Sequence, residues 1–244
     1  MKKETAHRSG AAGPGSMPEK TASEQNSPQD SRAVLIPADA VTLAGELAIP
    51  QGAVGVALFA HGSGSSRHSP RNQFVAQAIR ETGTATLLFD LLTAQEEARE
   101  ARDGHLRFDI GLLAGRLVGA TQWIAQQSTT QHLGIGYFGA STGGAAALLA
   151  AARLGALVEA VVSRGGRPDL AGEALSQVES PTLLIVGERD DVVLRLNQEA
   201  YEQLRCEKRL AVVPRATHLF EEPGALEEVA SLAADWFRRH LGPR

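Results

Sequence analysis

Short, mostly apolar runs at Gly55–Ala60, Thr84–Phe89, Leu133–Phe138 and Leu183–Val186 recur along the chain, with helical patterns between them. None of the four alternates between apolar and polar residues, so each reads as a strand buried on both faces. Buried strands that alternate with helices predict a parallel sheet covered by helices on both sides, an α/β fold. Such a sheet carries its site at the carboxyl ends of its strands. The remaining pattern fits this frame. Val34–Pro37 and Val41–Ile49 form an opening strand pair, and Val158–Val162 and Leu210–Val213 are further strands. Helices are expected over Arg71–Glu81, Ala94–Arg102, Phe108–Gln127, Thr142–Leu154, Val192–Leu204 and Gly224–Leu241.

Residues 1–32 contain no Val, Ile, Leu, Phe, Trp or Tyr. That stretch cannot bury enough apolar area to offset its ordering entropy, so a disordered tail is expected at 1–32 and one domain over 33–244. It also lacks the apolar core of a signal peptide, and a cytoplasmic location is the default expectation. The longest apolar stretch, Leu133–Ser163, is broken by Arg153 and Glu159, so no membrane association is expected. A net charge of −4 makes nucleic acid an unsuitable partner, because phosphate binding needs a basic face. A single cysteine leaves no internal disulfide and no Cys-rich zinc site, and no metal or cofactor is expected.

Gly139-Ala140-Ser141-Thr142-Gly143 has the form G-x-S-x-G and lies between a predicted strand and a predicted helix. A turn that sharp needs glycines on both sides. It holds Ser141 above the sheet edge and aims the Thr142 N–H, at a helix N-terminus, toward a developing oxyanion. A nucleophilic serine needs a base, and the base needs an orienting acid. Strand Leu183–Val186 is followed by Glu188, Asp190 and Asp191, and strand Leu210–Val213 by His218. Of the seven histidines only His218 and His240 follow these acids, and His240 falls in the Arg-rich end of the last helix, where a solvated or capping role is expected. The loop His61-Gly62-Ser63-Gly64 after strand Gly55–Ala60 is placed to offer a second oxyanion donor, the Ser63 N–H, with His61 bracing the loop.

Together the His61-Gly62 loop, Phe89-Asp90, the Ser141 turn, Gly187-x-x-Asp190 and Thr217-His218 resemble the dienelactone hydrolase-like group of α/β-hydrolases. Phe59–Asn72, Ser163–Leu170 and Ala216–Leu226 also resemble a subgroup often fused to, or named after, phosphoribosyltransferases, although the chain has no Asp-Thr-Gly signature of a phosphoribosyl-diphosphate site. The resemblance implies an α/β-hydrolase fold with a mostly parallel sheet. It selects Asp190 as the acid of a Ser141, Asp190, His218 triad, and implies hydrolysis of small carboxylic esters or lactones. Dienelactone hydrolases use a cysteine nucleophile; here that position is Ser141, and the single cysteine is Cys206.

Two other functions fit part of the pattern. One is a catalytically silent hydrolase fold that binds a ligand. The other is a dinucleotide-binding oxidoreductase, with Gly62-Ser63-Gly64 after a strand and Asp90 at the end of the next. Arg164 and Arg67 both fall near the expected site edge and are candidates to pair with a substrate carboxylate, which a guanidinium fork fits bidentately. The charged run Glu96–Asp103 is expected to be a solvated helix face.

Overall fold

The computed structural model describes residues 31–244, apart from the side chains of Ala101 and Asp103. Eight strands form one sheet: β1 Ser31–Ala38, β2 Val41–Ala48, β3 Gly55–Ala60, β4 Ala85–Phe89, β5 Gly134–Ala140, β6 Ala160–Arg164, β7 Thr182–Gly187 and β8 Lys208–Val213. Their spatial order is β1-β2-β4-β3-β5-β6-β7-β8. β1 and β2 pair antiparallel, β2 meets β4 antiparallel, and every later pairing is parallel. Every residue of β3, β4, β5, β6 and β7 is buried, as unbroken apolar runs require.

The described residues form six α-helices: α1 Pro70–Glu81, α2 Ala94–Asp103, α3 Ile110–Gln126, α4 Thr142–Leu154, α5 Asp191–Gln203 and α6 Ala225–His240. Val75, Ala76 and Ile79 of α1 pack with Val229, Ala233 and Phe237 of α6 in one core layer. The other layer holds Leu113 and Leu117 of α3, Ala146 and Leu148 of α4, and Ala200 of α5. No helix among the described residues is long and apolar enough to cross a membrane.

Several expectations need correction. The tail expected to be disordered lies, for residues 1–30, outside the described residues, while its last two residues, Ser31 and Arg32, pair with β2. The helix expected at Phe108–Gln127 is present as α3 but starts two residues later. A 3-10 turn at Leu106–Phe108 ends at Asp109, whose carboxylate accepts the Leu112 N–H at 2.9 Å and starts α3 as its N-cap. The crossover from β6 to β7 contains a kinked 3-10 segment, Pro168–Gln177, broken where Gly172 takes φ +55°.

The run Glu96–Asp103 is only partly a solvated face. Glu96 completes a capping box with Thr93 and pairs with Arg116 at 2.7 Å, and Glu100 is buried against Arg107. Both carboxylates turn inward because a guanidinium waits there to pair with them. His240 is likewise not solvated: it stacks on Trp236 with ring centroids 4.4 Å apart.

Candidate active site

β5 passes into α4 through one residue, Ser141, at φ +51° and ψ −120°. A side chain with a Cβ rarely holds that conformation, which costs about 1–3 kcal/mol and persists only where its surroundings over-determine it. Here they do. The Ser141 N–H donates to Arg164 O at 3.2 Å, and the Ser141 carbonyl accepts from Gly144 at 3.0 Å and Arg167 at 3.1 Å. The flanking glycines leave no room for side chains: a Cβ on Gly139 would stand 2.4 Å from Gly143 O, and one on Gly143 2.0 Å from Ala60 O. The glycine requirement read from G-x-S-x-G is therefore a pair of backbone contacts, of β5 with α4 at Gly139 and of α4 with the end of β3 at Gly143.

Past β7, Asp190 caps the start of α5; past β8, a loop carries His218. The two loops are tied by main-chain bonds, Glu188 N–H to Val213 O at 3.0 Å and Arg189 N–H to Ala216 O at 2.9 Å. They bring Asp190 Oδ2 to 2.6 Å from His218 Nδ1. The rival acids point elsewhere: Glu188 accepts the Arg215 N–H at 2.6 Å, and Asp191 is exposed. Glu222 accepts the Thr217 N–H at 3.1 Å, and that contact holds its carboxyl below the usual range. Glu222 had no signal in the sequence beyond its place four residues after His218.

The segment Arg164–Arg167 joins the two halves. Its ends bond the Ser141 backbone, while a Cβ on Gly165 would stand 3.5 Å from the His218 ring. Gly165 adopts φ +51° there, and Asn197 of α5 donates to Gly166 O at 3.0 Å.

On the other side, the loop after β3 lies against the serine, with a would-be Cβ on Gly62 3.1 Å from Ser141 Cβ. His61 is buried. Its Nε2 accepts the Leu91 N–H at 3.1 Å, so its proton sits on Nδ1 and is donated to Gly62 O at 3.0 Å. Burial lowers its pKa, against the raising effects of the Gly62 carbonyl, Asp90 and Glu97. His61 thus braces the loop as a neutral ring. The Ser63 N–H, expected to face the oxyanion, donates to Thr142 Oγ1 at 3.1 Å.

The two arginines differ. Arg67 is engaged by Asp90, which accepts both its N–H, at 2.8 Å, and its guanidinium. That contact also occupies the acid that a dinucleotide ribose would need, so the Gly62–Asp90 pattern serves the loop instead. Arg164 is 8% exposed, with its guanidinium 5.9 Å from the Phe220 ring centroid. Among the described residues no acceptor meets its Nε or Nη1. Burial, with Arg71 nearby, pushes its pKa down to about 10. An open cleft of about 910 Å³ borders the loop, lined among others by Ser63, Ser66, Arg67, Asp90, Thr93 and Glu97. No cluster of three or more metal-ligating side chains occurs among the described residues.

Comparison with known proteins agrees with this architecture. A dienelactone hydrolase from Anabaena variabilis superposes with a TM-score of 0.86 at 60% identity, over 87% of this chain and 98% of that one. An esterase domain from Rhodothermus marinus shares the fold at 20% identity, with a TM-score of 0.67 over 86% of this chain and 99% of its own. A Mycobacterium tuberculosis protein that carries the name of a phosphoribosyl transferase is 58% identical over 211 residues, which are 86% of this chain and 47% of that relative. The chain thus spans about half the length of the curated relatives it matches. The family model described as an alpha/beta hydrolase domain matches residues 53–231, and the chain belongs to that family, with its α/β-hydrolase fold.

Proposed function

We propose that the protein is a serine hydrolase that cleaves small carboxylic esters or lactones through an acyl-enzyme on Ser141. The observation that carries this reading is the backbone of Ser141, held at φ +51° between strand and helix. Strain of this kind is retained where a side chain must be presented, and the Asp190–His218 pair lies across Gly165 from it. In the proposed reaction His218, oriented at Nδ1 by Asp190, takes the Ser141 proton through Nε2 and returns it to the leaving alcohol. The Thr142 N–H, at the start of α4, supplies an oxyanion donor. Water, giving a proton to His218, then attacks the acyl carbon; the bond to Ser141 breaks, the acid leaves, and the proton returns to Ser141. The likeness to a dienelactone hydrolase at 60% identity supports ester or lactone chemistry. Where the substrate carries a second carboxylate, Arg164 is its proposed partner, since Arg67 is already paired.

A fluorophosphonate probe tests the reading. We expect one covalent adduct, on Ser141, and none in Ser141→Ala. That variant is also expected to lose kcat on p-nitrophenyl acetate by about 10⁴- to 10⁶-fold. Undiminished turnover by Ser141→Ala would falsify the proposal. A folded protein that neither reacts nor turns over would favour the silent binding fold.

A further inference from the structure

Ser63 has one N–H, and it is directed at Thr142 Oγ1, 3.1 Å away. That donor is therefore not free to meet an oxyanion directly. Thr142 is the residue next to Ser141, 4% exposed, at the first position of α4. Its hydroxyl oxygen accepts from Ser63, and among the described residues the hydroxyl proton is given to no acceptor. A hydroxyl both donates and accepts. One that accepts a hydrogen bond is polarised by it and becomes the better donor.

We propose that the Thr142 hydroxyl is itself a catalytic oxyanion donor. The Ser63 N–H would act through it, in a relay from Ser63 N–H to Thr142 Oγ and from Thr142 Oγ–H to the carbonyl oxygen of the ester. This rests on the serine-hydrolase reading above and deepens it. The geometry around the threonine suits the role. The loop before Ser63 abuts Ser141, with Gly62 against the serine Cβ, and the same loop reaches the hydroxyl of the next residue through the Ser63 N–H. The loop cannot easily withdraw to free its N–H. His61 ties it to Leu91, and Asp90 ties Arg67 at its far end. Thr142 thus contributes two donors from one residue, its backbone N–H at the helix N-terminus and its side-chain O–H. No proton is transferred in this role: the hydroxyl donates a hydrogen bond that strengthens as charge builds on the oxygen.

Three variants test it on p-nitrophenyl acetate beside wild type and Ser141→Ala. Thr142→Val keeps the shape and removes the hydroxyl; Thr142→Ala removes it and opens space; Thr142→Ser keeps it. Losing one oxyanion donor lowers kcat by about 10²- to 10³-fold. We expect that loss in Val and Ala, with KM little changed, and a far smaller loss in Ser. A trifluoromethyl ketone, whose adduct with Ser141 carries the oxyanion, should bind more weakly to Val and Ala in proportion to their kcat. Thermal unfolding checks that each variant is folded. If Thr142→Ala matches or exceeds wild type, the hydroxyl only covers the Ser63 N–H, and the relay is wrong. Equal losses in Ser and Val would give the threonine methyl, not the hydroxyl, the role. If Ser141→Ala retains turnover, the serine reading itself fails, and that outcome is separate because it does not depend on residue 142.

Discussion

Asp190 and Asp191 are adjacent and chemically identical, yet only one reaches an imidazole. Asp190 precedes the first turn of α5 and faces the His218 loop, while Asp191 has entered the helix and turned outward. An amide in place of Asp190 favours the wrong tautomer of His218 and cannot stabilise its cation. Asp190→Asn is therefore expected to lower kcat by about 10⁴-fold. Asp191→Asn should leave the rate near wild type, and the opposite ranking in a steady-state assay would move the acid by one position. Arg164 allows a similar discrimination. A hydrogen bond to a charged group contributes about 1.5–3 kcal/mol. Replacing Arg164 by Met should therefore lower the preference for a dicarboxylic acid half-ester over the neutral diester, measured as a ratio of kcat/KM, by about 10- to 100-fold. Equal losses on both substrates would instead mean that Arg164 acts only as packing over Phe220.

The loop after β3 depends on one neutral ring. Protonating His61 would set a second N–H against the Leu91 N–H and place a charge in a buried site. Because its folded pKa is lowered, the unfolded chain takes up the proton first as pH falls below about 6.5. Stability then drops with falling pH until the folded ring also titrates, and it is fully present above that window. His240, also lowered by burial, adds a contribution of the same sign. Chemical denaturation from pH 8 down to 5.5 should therefore show a steeper loss for wild type than for His61→Asn. An equal slope in the two proteins would mean that the ring is not buried in solution.

Over the whole molecule, the parallel sheet and the order of the three site loops were legible because unbroken apolar runs admit few alternatives. The glycines around Ser141 were legible for the same kind of reason: only a tight turn uses them at that spacing. Less could be read where the deciding contact is tertiary. The inward turn of Glu96 and Glu100 depends on arginines at 116 and 107, and no periodicity within α2 reveals them. The 3-10 crossover at Pro168–Gln177 has neither the 3.6-residue period of a helix nor the alternation of a strand. The Ser63 donor was assigned from its loop position alone, and its engagement by Thr142 depends on a side-chain rotamer that sequence does not reveal.

The segment Arg164–Arg167 bonds the backbone of Ser141 at both ends, presses Gly165 against His218, and is held from behind by Asn197. A strip of main chain thus stands between the serine turn and the His218 loop, as a shim stands between two machined faces. A side chain added at Gly165 would be strained by its positive φ and would meet the backbone oxygen and the ring of His218 rather than open solvent. The cleft-lining loop after β3 lies outside this strip, so its residues can vary without altering it.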